Sequence, residues 1–375
     1  MAIGCNTETS GSSNDIVDRN GGPLSRVKVV VVGCGNMGSS HARAYVGQEG
    51  FELVGLVDRS LGRAVALGDQ LGAGKAFPTL QAAIAAGNVD AVCVCTYPET
   101  HEAFVVESLE AGLHVFVEKP LAQTVAQAVA IVNLAEEKRK KVVVGYILRH
   151  HPSWQRFIEE ARTLGKPLVM RMNLNQQSSG AEWEVHKKLM HSMSPIVDCG
   201  VHYVDVMCQM TQASPSSVHA IGARLTDEIS PMMYNYGQLQ VIFDDGSVGW
   251  YEAGWGPMMS EVAYFVKDVI GPQGCVSITE PRAGGSSDIN AHTKTSMLLR
   301  HDAGSGKDIT IDTHDEPDHQ ELCNREQQYF LMAIRENLDL SEHLNDAVNS
   351  LRIVLAADES VRTGKIVYLT QRGPA

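Results

Sequence analysis

Three polar residues, Asp198, His202 and Asp205, recur at +4 and +3 spacing through the otherwise apolar segment PIVDCGVHYVDVMCQM. That spacing sets all three on one face of a helix predicted over 196–210. Most of the helix girth is apolar, so the helix is expected to be buried. An acid–imidazole–acid stripe in such surroundings is costly unless each group is paired or working. The plain alternative is a structural network in which His202 ties the two acids together. A second motif weighs against it. Glu118-Lys119-Pro120 follows the run HVFV directly, at the carboxyl end of what reads as a parallel strand. Ligands of doubly wound sheets bind at that edge. A lone lysine there would be solvated surface; a lysine aimed into a cofactor cleft can act on a reacting oxygen.

These residues need elements to hold them. From Val27 onward, runs of four to eight β-branched or apolar residues alternate with helical segments, which is the texture of parallel strands covered on both faces. The predicted fold class is α/β: a doubly wound parallel sheet over residues 26–150, then a second domain over 151–375 with consecutive strands joined by short turns, hence mainly antiparallel. Residues 1–25 are rich in Ser, Asn, Gly and Asp and read as a flexible arm. Two closing helices are expected near Gln320–Asn337 and Asp346–Arg362, with Gly364 as a C-terminal cap. The first strand runs straight into Gly33-Cys34-Gly35-Asn36-Met37-Gly38, a G-x-G-x-x-G turn opening a helix. Such a turn brings a pyrophosphate to backbone N–H groups at the positive helix end. Asp58 ends the second strand twenty residues past Gly38, where an acid binds ribose hydroxyls. Its charge would repel a 2′-phosphate, so the predicted cofactor is NAD rather than NADP. Arg59 beside it either accepts that phosphate or lies over the adenine.

The motifs GCGNMG, the Asp58 strand end, TYPETH (96–101), VEKPLA (117–122), GYILRHHP (145–152) and DCGVHYVD (198–205) resemble, in that order, the Gfo/Idh/MocA oxidoreductases. That family includes glucose–fructose oxidoreductase and inositol dehydrogenase. The motifs span residue 27 to about 210, and a weaker pattern of strands and helices continues to about 370. The resemblance implies an N-terminal Rossmann domain and a C-terminal α/β domain with a large open sheet whose exposed face builds homo-oligomers. It implies Lys119, Asp198 and His202 as catalytic residues. It also implies that Thr96, Pro98, His101, Glu118 and Lys119 join Gly33, Gly35, Asn36, Met37, Gly38, Asp58 and Arg59 around the cofactor, and that Arg149 faces cofactor or substrate. For His101 the alternative is a helix N-terminal residue with no ligand.

The physics of those roles stands by itself. A sugar hydroxyl, like water, has a pKa near ~15.7 and histidine one near ~6.5, so His202 alone falls short by about nine pKa units, or ~12 kcal/mol. The proton must leave as hydride departs to the nicotinamide, and a cationic Lys119 beside the oxygen would stabilise the growing negative charge. Asp198 would orient the imidazole or grip a neighbouring hydroxyl, and Asp205 is expected to be structural. The expected function is an NAD-dependent dehydrogenase acting on a secondary hydroxyl of a sugar, cyclitol or glycoside, with the C3 hydroxyl of glucosides as the finer reading. Alternatives are a glycosidase that uses NAD through transient oxidation and a non-catalytic NAD-binding regulator. The three catalytic residues together argue against the regulator.

Composition limits the rest. With 31 basic against 44 acidic side chains in 375 residues, the net charge of −13 disfavours a nucleic-acid partner. No apolar run approaches ~18 residues, and the N-terminus lacks a basic start and an apolar core, so the chain reads as soluble, cytoplasmic and without a membrane partner. Eight scattered cysteines make no disulfide scaffold, and Cys93 and Cys95 read as buried strand residues rather than a metal pair. The polar stretch 176–192 carries Trp183, whose ring suits a carbohydrate face; a surface connection anchored by one Trp is the alternative. The acidic run 312–321 reads as a solvated loop, and His150-His151 lacks metal spacing, so no metal is expected.

Overall fold

A computed structural model describes residues 25–260, 265–279, 297–313 and 316–369 of the chain. The arm expected over residues 1–25 lies outside them except at its last residue.

The first half alternates strand and helix without exception: β1 (Val27–Val32), α1 (Asn36–Gly47), β2 (Phe51–Val57), α2 (Leu61–Leu71), β3 (Lys75–Phe77), α3 (Leu80–Ala85), β4 (Ala91–Val94), α4 (His101–Glu110), β5 (His114–Glu118), α5 (Val125–Lys138) and β6 (Val142–Gly145). The strands lie in the order β3-β2-β1-β4-β5-β6, every pairing parallel. Valine dominates these strands, with Leu and Phe, because helices cover both faces, and β4 and β6 are buried along their whole length. The order reverses between β1 and β4, and the crevice at that switch point is where such sheets receive ligands. Cys93 and Cys95 flank the end of β4 with sulfurs 3.4 Å apart.

The second half opens with α6 (Pro152–Arg162), β7 (Val169–Gln177), α7 (Gly180–Leu189), α8 (Pro195–Asp198) and α9 (Gly200–Thr211). Then follow β8 (Pro215–Ala223), β9 (Tyr236–Phe243), β10 (Val248–Gly256), β11 (Lys267–Gly271), β12 (Gly274–Ile278), β13 (Met297–Asp302) and β14 (Lys307–Asp312), before α10 (His319–Arg335), α11 (Ser341–Thr363) and β15 (Val367–Tyr368). The nine strands run β14-β13-β12-β11-β7-β10-β9-β8-β15, antiparallel apart from the β7–β10 pair. In β9 the alternation is clean: Gly237, Leu239, Val241 and Phe243 are buried beneath the helices, while Gln240 and Ile242 stand exposed on the other face. Strands β11, β13 and β15 were not among those expected from the sequence.

Three expectations need adjusting. The polar stretch 176–192 contains a helix, α7, rather than an open connection. The predicted helix 196–210 is two elements, α8 and α9, meeting at Cys199, where the His202 N–H bonds the Cys199 carbonyl three residues back. There Gly200 lies so close to β10 that a Cβ would sit 2.8 Å from the Tyr251 ring. The run 312–321 is anchored: Glu316 accepts from Ser153 Oγ at 3.1 Å, and Asp318 caps α10. Gly364 takes the C-terminal cap position of α11 at φ +67°.

The last two helices return to the nucleotide half. Tyr45 Oη donates to Gln327 Oε1 at 2.5 Å, the Val144 N–H to His343 Nε2 at 2.9 Å, and Tyr146 Oη meets Ser350 Oγ at 2.8 Å. The two sheets are thereby held against each other, with a cleft along the carboxyl edge of the first.

Candidate active site

Backbone shape dominates the nucleotide side of the cleft. Gly33 takes φ +93°, and a Cβ there would lie 2.5 Å from the Cys95 carbonyl oxygen. At Gly38 a Cβ would fall 1.7 Å from the Gly33 carbonyl oxygen, so α1 reaches β1 this closely only without a side chain. Around Gly35, by contrast, nothing lies within 4 Å of where a Cβ would project. Gly35 is the N-cap of α1 and supplies no side-chain cap, so the N–H groups of the Asn36–Met37 turn remain available to a phosphate. Asp58 locks the two adjoining turns: Oδ2 accepts the Cys34 N–H at 2.9 Å and Oδ1 the Ser60 N–H at 2.8 Å. Arg59 is exposed beside it, and Arg63 Nη1 stands 3.4 Å from its carboxylate. An open glycine turn, an uncapped helix and an acid at the second strand end fit a dinucleotide.

Thr96 and Pro98 form the turn after β4, packed beside the glycine turn. His101 is buried at the start of α4, with Nδ1 2.8 Å from the Pro120 carbonyl oxygen and Nε2 3.0 Å from that of Thr96. It clamps two cleft-edge turns to each other rather than presenting a ring nitrogen to the cleft. Glu118, at the end of β5, is engaged by His41 Nε2 at 2.8 Å and by the Lys119 N–H at 3.3 Å.

Across the cleft, Lys119 Nζ donates to Asp198 Oδ1 at 2.8 Å and to the Asp198 carbonyl at 3.1 Å. Burial works against the charge of Lys119, but the Asp198 carboxylate outweighs it, and the ammonium is held above its ordinary pKa. Burial would likewise raise Asp198, and Lys119 reverses that, keeping the carboxyl below its usual range. His202 lines the same cavity, of about 220 Å³, with Tyr146 edge-on at 6.0 Å. Burial first and the Lys119 charge second push its pKa down to about 3, so the imidazole is neutral at pH 7. Its buried Nδ1 has no hydrogen-bond partner. Asp198 thus grips the lysine, a partner that neither of its expected roles, orienting the imidazole or gripping a neighbouring hydroxyl, had named.

Arg149 is directed elsewhere. Its guanidinium forms a fork with Asp205, Nε to Oδ2 at 2.8 Å and Nη2 to Oδ1 at 2.6 Å, and Nη2 also reaches Asp346 at 3.0 Å. It does not line the cavity, and Asp205 is engaged in this pairing. Trp183 is 5% exposed, packed with Met190, Cys199, Ile229 and Trp255, and it too stays behind the cavity wall. His150 faces Tyr329 and His151 lies 3.7 Å from Glu316, both away from the cleft.

Several cavity residues carried no readable signal. Gln176, from the end of β7, receives Trp255 Nε1–H at 2.6 Å and the Cys199 thiol at 3.0 Å on its Oε1. His319 and Glu326 arrive on α10, more than a hundred residues beyond α9. Only the polar character of 176–192 hinted at Gln176, and nothing in the sequence showed that the expected helix near Gln320–Asn337, α10, reaches the cavity.

Residues 27–146 match the oxidoreductase family described as GFO_IDH_MocA, NAD-binding Rossmann fold, and residues 156–271 match the GFO/IDH/MocA C-terminal domain. The chain is 28% identical over 355 residues to the scyllo-inositol 2-dehydrogenase (NAD(+)) of Bacillus subtilis, covering 92% of this chain and 96% of that one. It is 29% identical over 185 residues to the D-glucoside 3-dehydrogenase of Escherichia coli, covering 48% and 53%. In fold it is similar to an oxidoreductase from Agrobacterium radiobacter solved with NAD+, L-tartaric acid and magnesium, at TM-score 0.76 and 17% identity over 92% of this chain and 98% of that one. The myo-inositol 2-dehydrogenase of Lactobacillus plantarum matches at TM-score 0.74 and 18% identity, over 92% and 100%.

Proposed function

The chain belongs to the Gfo/Idh/MocA oxidoreductase family, and from that premise we propose that it is an NAD-dependent dehydrogenase of a neutral sugar, cyclitol or glycoside. It would oxidise one ring secondary hydroxyl, with the C3 hydroxyl of a glucoside as the leading candidate. The observation that carries this reading is the convergence, at the carboxyl edge of the nucleotide sheet, of an ammonium from β5 and a neutral imidazole from α9 on one cavity.

Bound NAD supplies the hydride acceptor. The chain's own residues would do the remainder. The glycine turn and the first N–H groups of α1 hold the pyrophosphate, and Asp58 holds the ribose. Lys119 has three N–H donors, of which two are directed to Asp198. The third stabilises negative charge on the reacting oxygen. His202, neutral and with an unpartnered ring nitrogen, accepts the hydroxyl proton as the C–H bond breaks. Asp198 keeps Lys119 cationic. Gln176 contributes a fixed amide to the wall and favours a substrate rich in hydroxyls.

A panel of cyclitols, free hexoses and alkyl or aryl glucosides, offered with NAD and with NADP, tests the reading at the NADH absorbance. Net reduction of NAD by at least one polyol or glucoside is expected. No reduction by any of them, with NAD binding intact, would leave a regulator, and product without net reduction would indicate a glycosidase.

The face of the nine-stranded sheet turned away from the helices exposes Val169, Ile242, Val248 and Ile270. Such a face supports a homo-oligomer, tested by light scattering on the wild type and on Ile242→Lys. Among the described residues no helix is long and apolar enough to cross a membrane.

A further inference from the structure

Where α1 and α10 meet at the cleft, His41, Cys323 and Glu326 form a cluster to which the dehydrogenase reading assigns no step, although Glu326 also lines the cavity that holds Lys119 and His202. One ring nitrogen of His41, the thiol sulfur of Cys323 and a carboxylate oxygen of Glu326 all lie within 4.8 Å of one another, and all three residues are buried. Glu326 is 1% exposed, and neither of its oxygens has a hydrogen-bond partner. A bare buried carboxylate is among the most expensive groups to keep in a folded chain. Two further donors adjoin the three: Glu118 Oε1 lies 2.8 Å from His41 Nε2, and His319 Nε2 lies 3.6 Å from the Cys323 sulfur.

We propose that His41, Cys323 and Glu326 form a binding site for one divalent transition-metal cation of the zinc class, which ties α10 to the nucleotide half. The donor set decides the class. Thiolate and imidazole select a borderline or soft cation, and magnesium and calcium prefer all-oxygen cages. Two carboxylates and a thiol converge here on one imidazole, so the local charge balance calls for a dication. Burial drives Glu326 towards its neutral form, and the His41 charge only partly offsets this. The ring is held in place on both sides: Gln327 Nε2 meets His41 Nδ1 at 2.9 Å, and Gln327 is itself held by Tyr45. A cation on His41 would replace the hydrogen bond that the ligating nitrogen now makes, to Glu118 or to Gln327. Binding involves no redox step. Cys323 gives up its thiol proton, His41 the second ring proton that a pKa of about 9 leaves on it at neutral pH, and Glu326 any proton it carries, so two to three protons pass to solvent per cation.

The test uses full-length, tag-free protein stripped with a chelator and titrated with cobalt(II). One equivalent is expected to raise a sulfur-to-cobalt charge-transfer absorption in the near ultraviolet, with release of two to three protons at neutral pH, and zinc should displace it. Cys323→Ser should abolish that absorption, and Cys275→Ser, on β12 of the other sheet, should retain it. Glu326→Gln should weaken cobalt binding by roughly tenfold or more. Absence of the band at one equivalent, its survival in Cys323→Ser, or unchanged affinity in Glu326→Gln would overturn the site. The Gln variant keeps shape and volume, so the test holds even where Cys323→Ser does not fold. None of these readouts depends on the enzyme's substrate.

Discussion

Two ion pairs join the halves of this molecule through the same short stretch of α8 and α9, and they differ in what they leave over. Lys119 and Asp198 meet through one 2.8 Å contact, each side chain 19% exposed, at the wall of a cavity. Arg149 meets Asp205 through a planar fork and adds Asp346, closed away from that cavity. The lysine is a point charge with a donor to spare at the cavity wall, and the arginine is a bidentate clamp whose engaged donors all go to carboxylates outside that cavity. Under the proposed function chemistry falls to the pair that borders the cavity, and the other pair holds the two halves in register.

Removing the cleft groups should have the largest effect. Lys119→Ala and His202→Ala are each expected to lower kcat by about 10²–10⁴-fold while NAD still binds, as followed by steady-state kinetics and cofactor titration. Full turnover in His202→Ala would take it out of proton transfer. Arg149→Ala should instead destabilise the fold by about 3–5 kcal/mol in denaturant unfolding, with turnover per folded molecule largely kept, because Asp205 and Asp346 are left buried and unpaired. A loss of turnover without loss of stability would erase the contrast between the pairs. Asp58→Ala should cost about 1.5–3 kcal/mol through the Cys34 and Ser60 N–H bonds and narrow the preference for NAD over NADP, read from the ratio of kcat/KM values.

A further contrast lies in pH dependence. Burial lowers the pKa of His202 and His150 to about 3, helped by the Lys119 and Arg149 charges respectively, and lowers that of His114 to about 4. These rings stay neutral in the native state yet take up protons near ~6.5 when unfolded. Stability should therefore be fully present above pH ~6.5 and fall as the pH drops towards 4, by about 1.4 kcal/mol per pH unit for each proton. His41 acts in the opposite sense: burial would lower it, but its bond to Glu118 raises it to about 9, so its contribution is present below ~6.5 and lost as pH rises towards 9. For the same reason as His202 stability, kcat/KM should show no acid limb at the ordinary histidine pKa.

Much of this was legible because it is local. Six apolar runs alternating with helices imply a parallel sheet, and Gly33, Gly38 and Asp58 are where a strand–turn–helix needs missing side chains and an acid. The +4 spacing of Asp198 and His202 brings both towards the cleft, and Gly364 ends α11 as a left-handed cap. What was not legible is where long side chains end. Arg149 follows a motif that faces the cleft, yet it turns to Asp205 and Asp346, the latter 197 residues away. Trp183 had the chemistry for a sugar face but lies behind Cys199, since α7 buries its ring in an apolar cluster. His101 had two readings, a cofactor-side residue or a helix N-terminal one; it starts α4, and two carbonyl oxygens from separate turns occupy its ring.

By itself the sequence determined the family, the doubly wound sheet, the dinucleotide turn and the types of residue near the cleft, because period, glycine placement and short motifs act over a few residues of chain. Only the tertiary structure decided which partner each charged group takes. It assigned Asp198 to Lys119, Asp205 to Arg149 and Gln176 to Trp255, and it brought Glu326 to the wall of a cavity whose other groups lie far earlier in the chain, next to Cys323 and His41. The physical reason is that electrostatic pairing and desolvation depend on distance in space, and contacts across the two sheets leave no mark on local spacing.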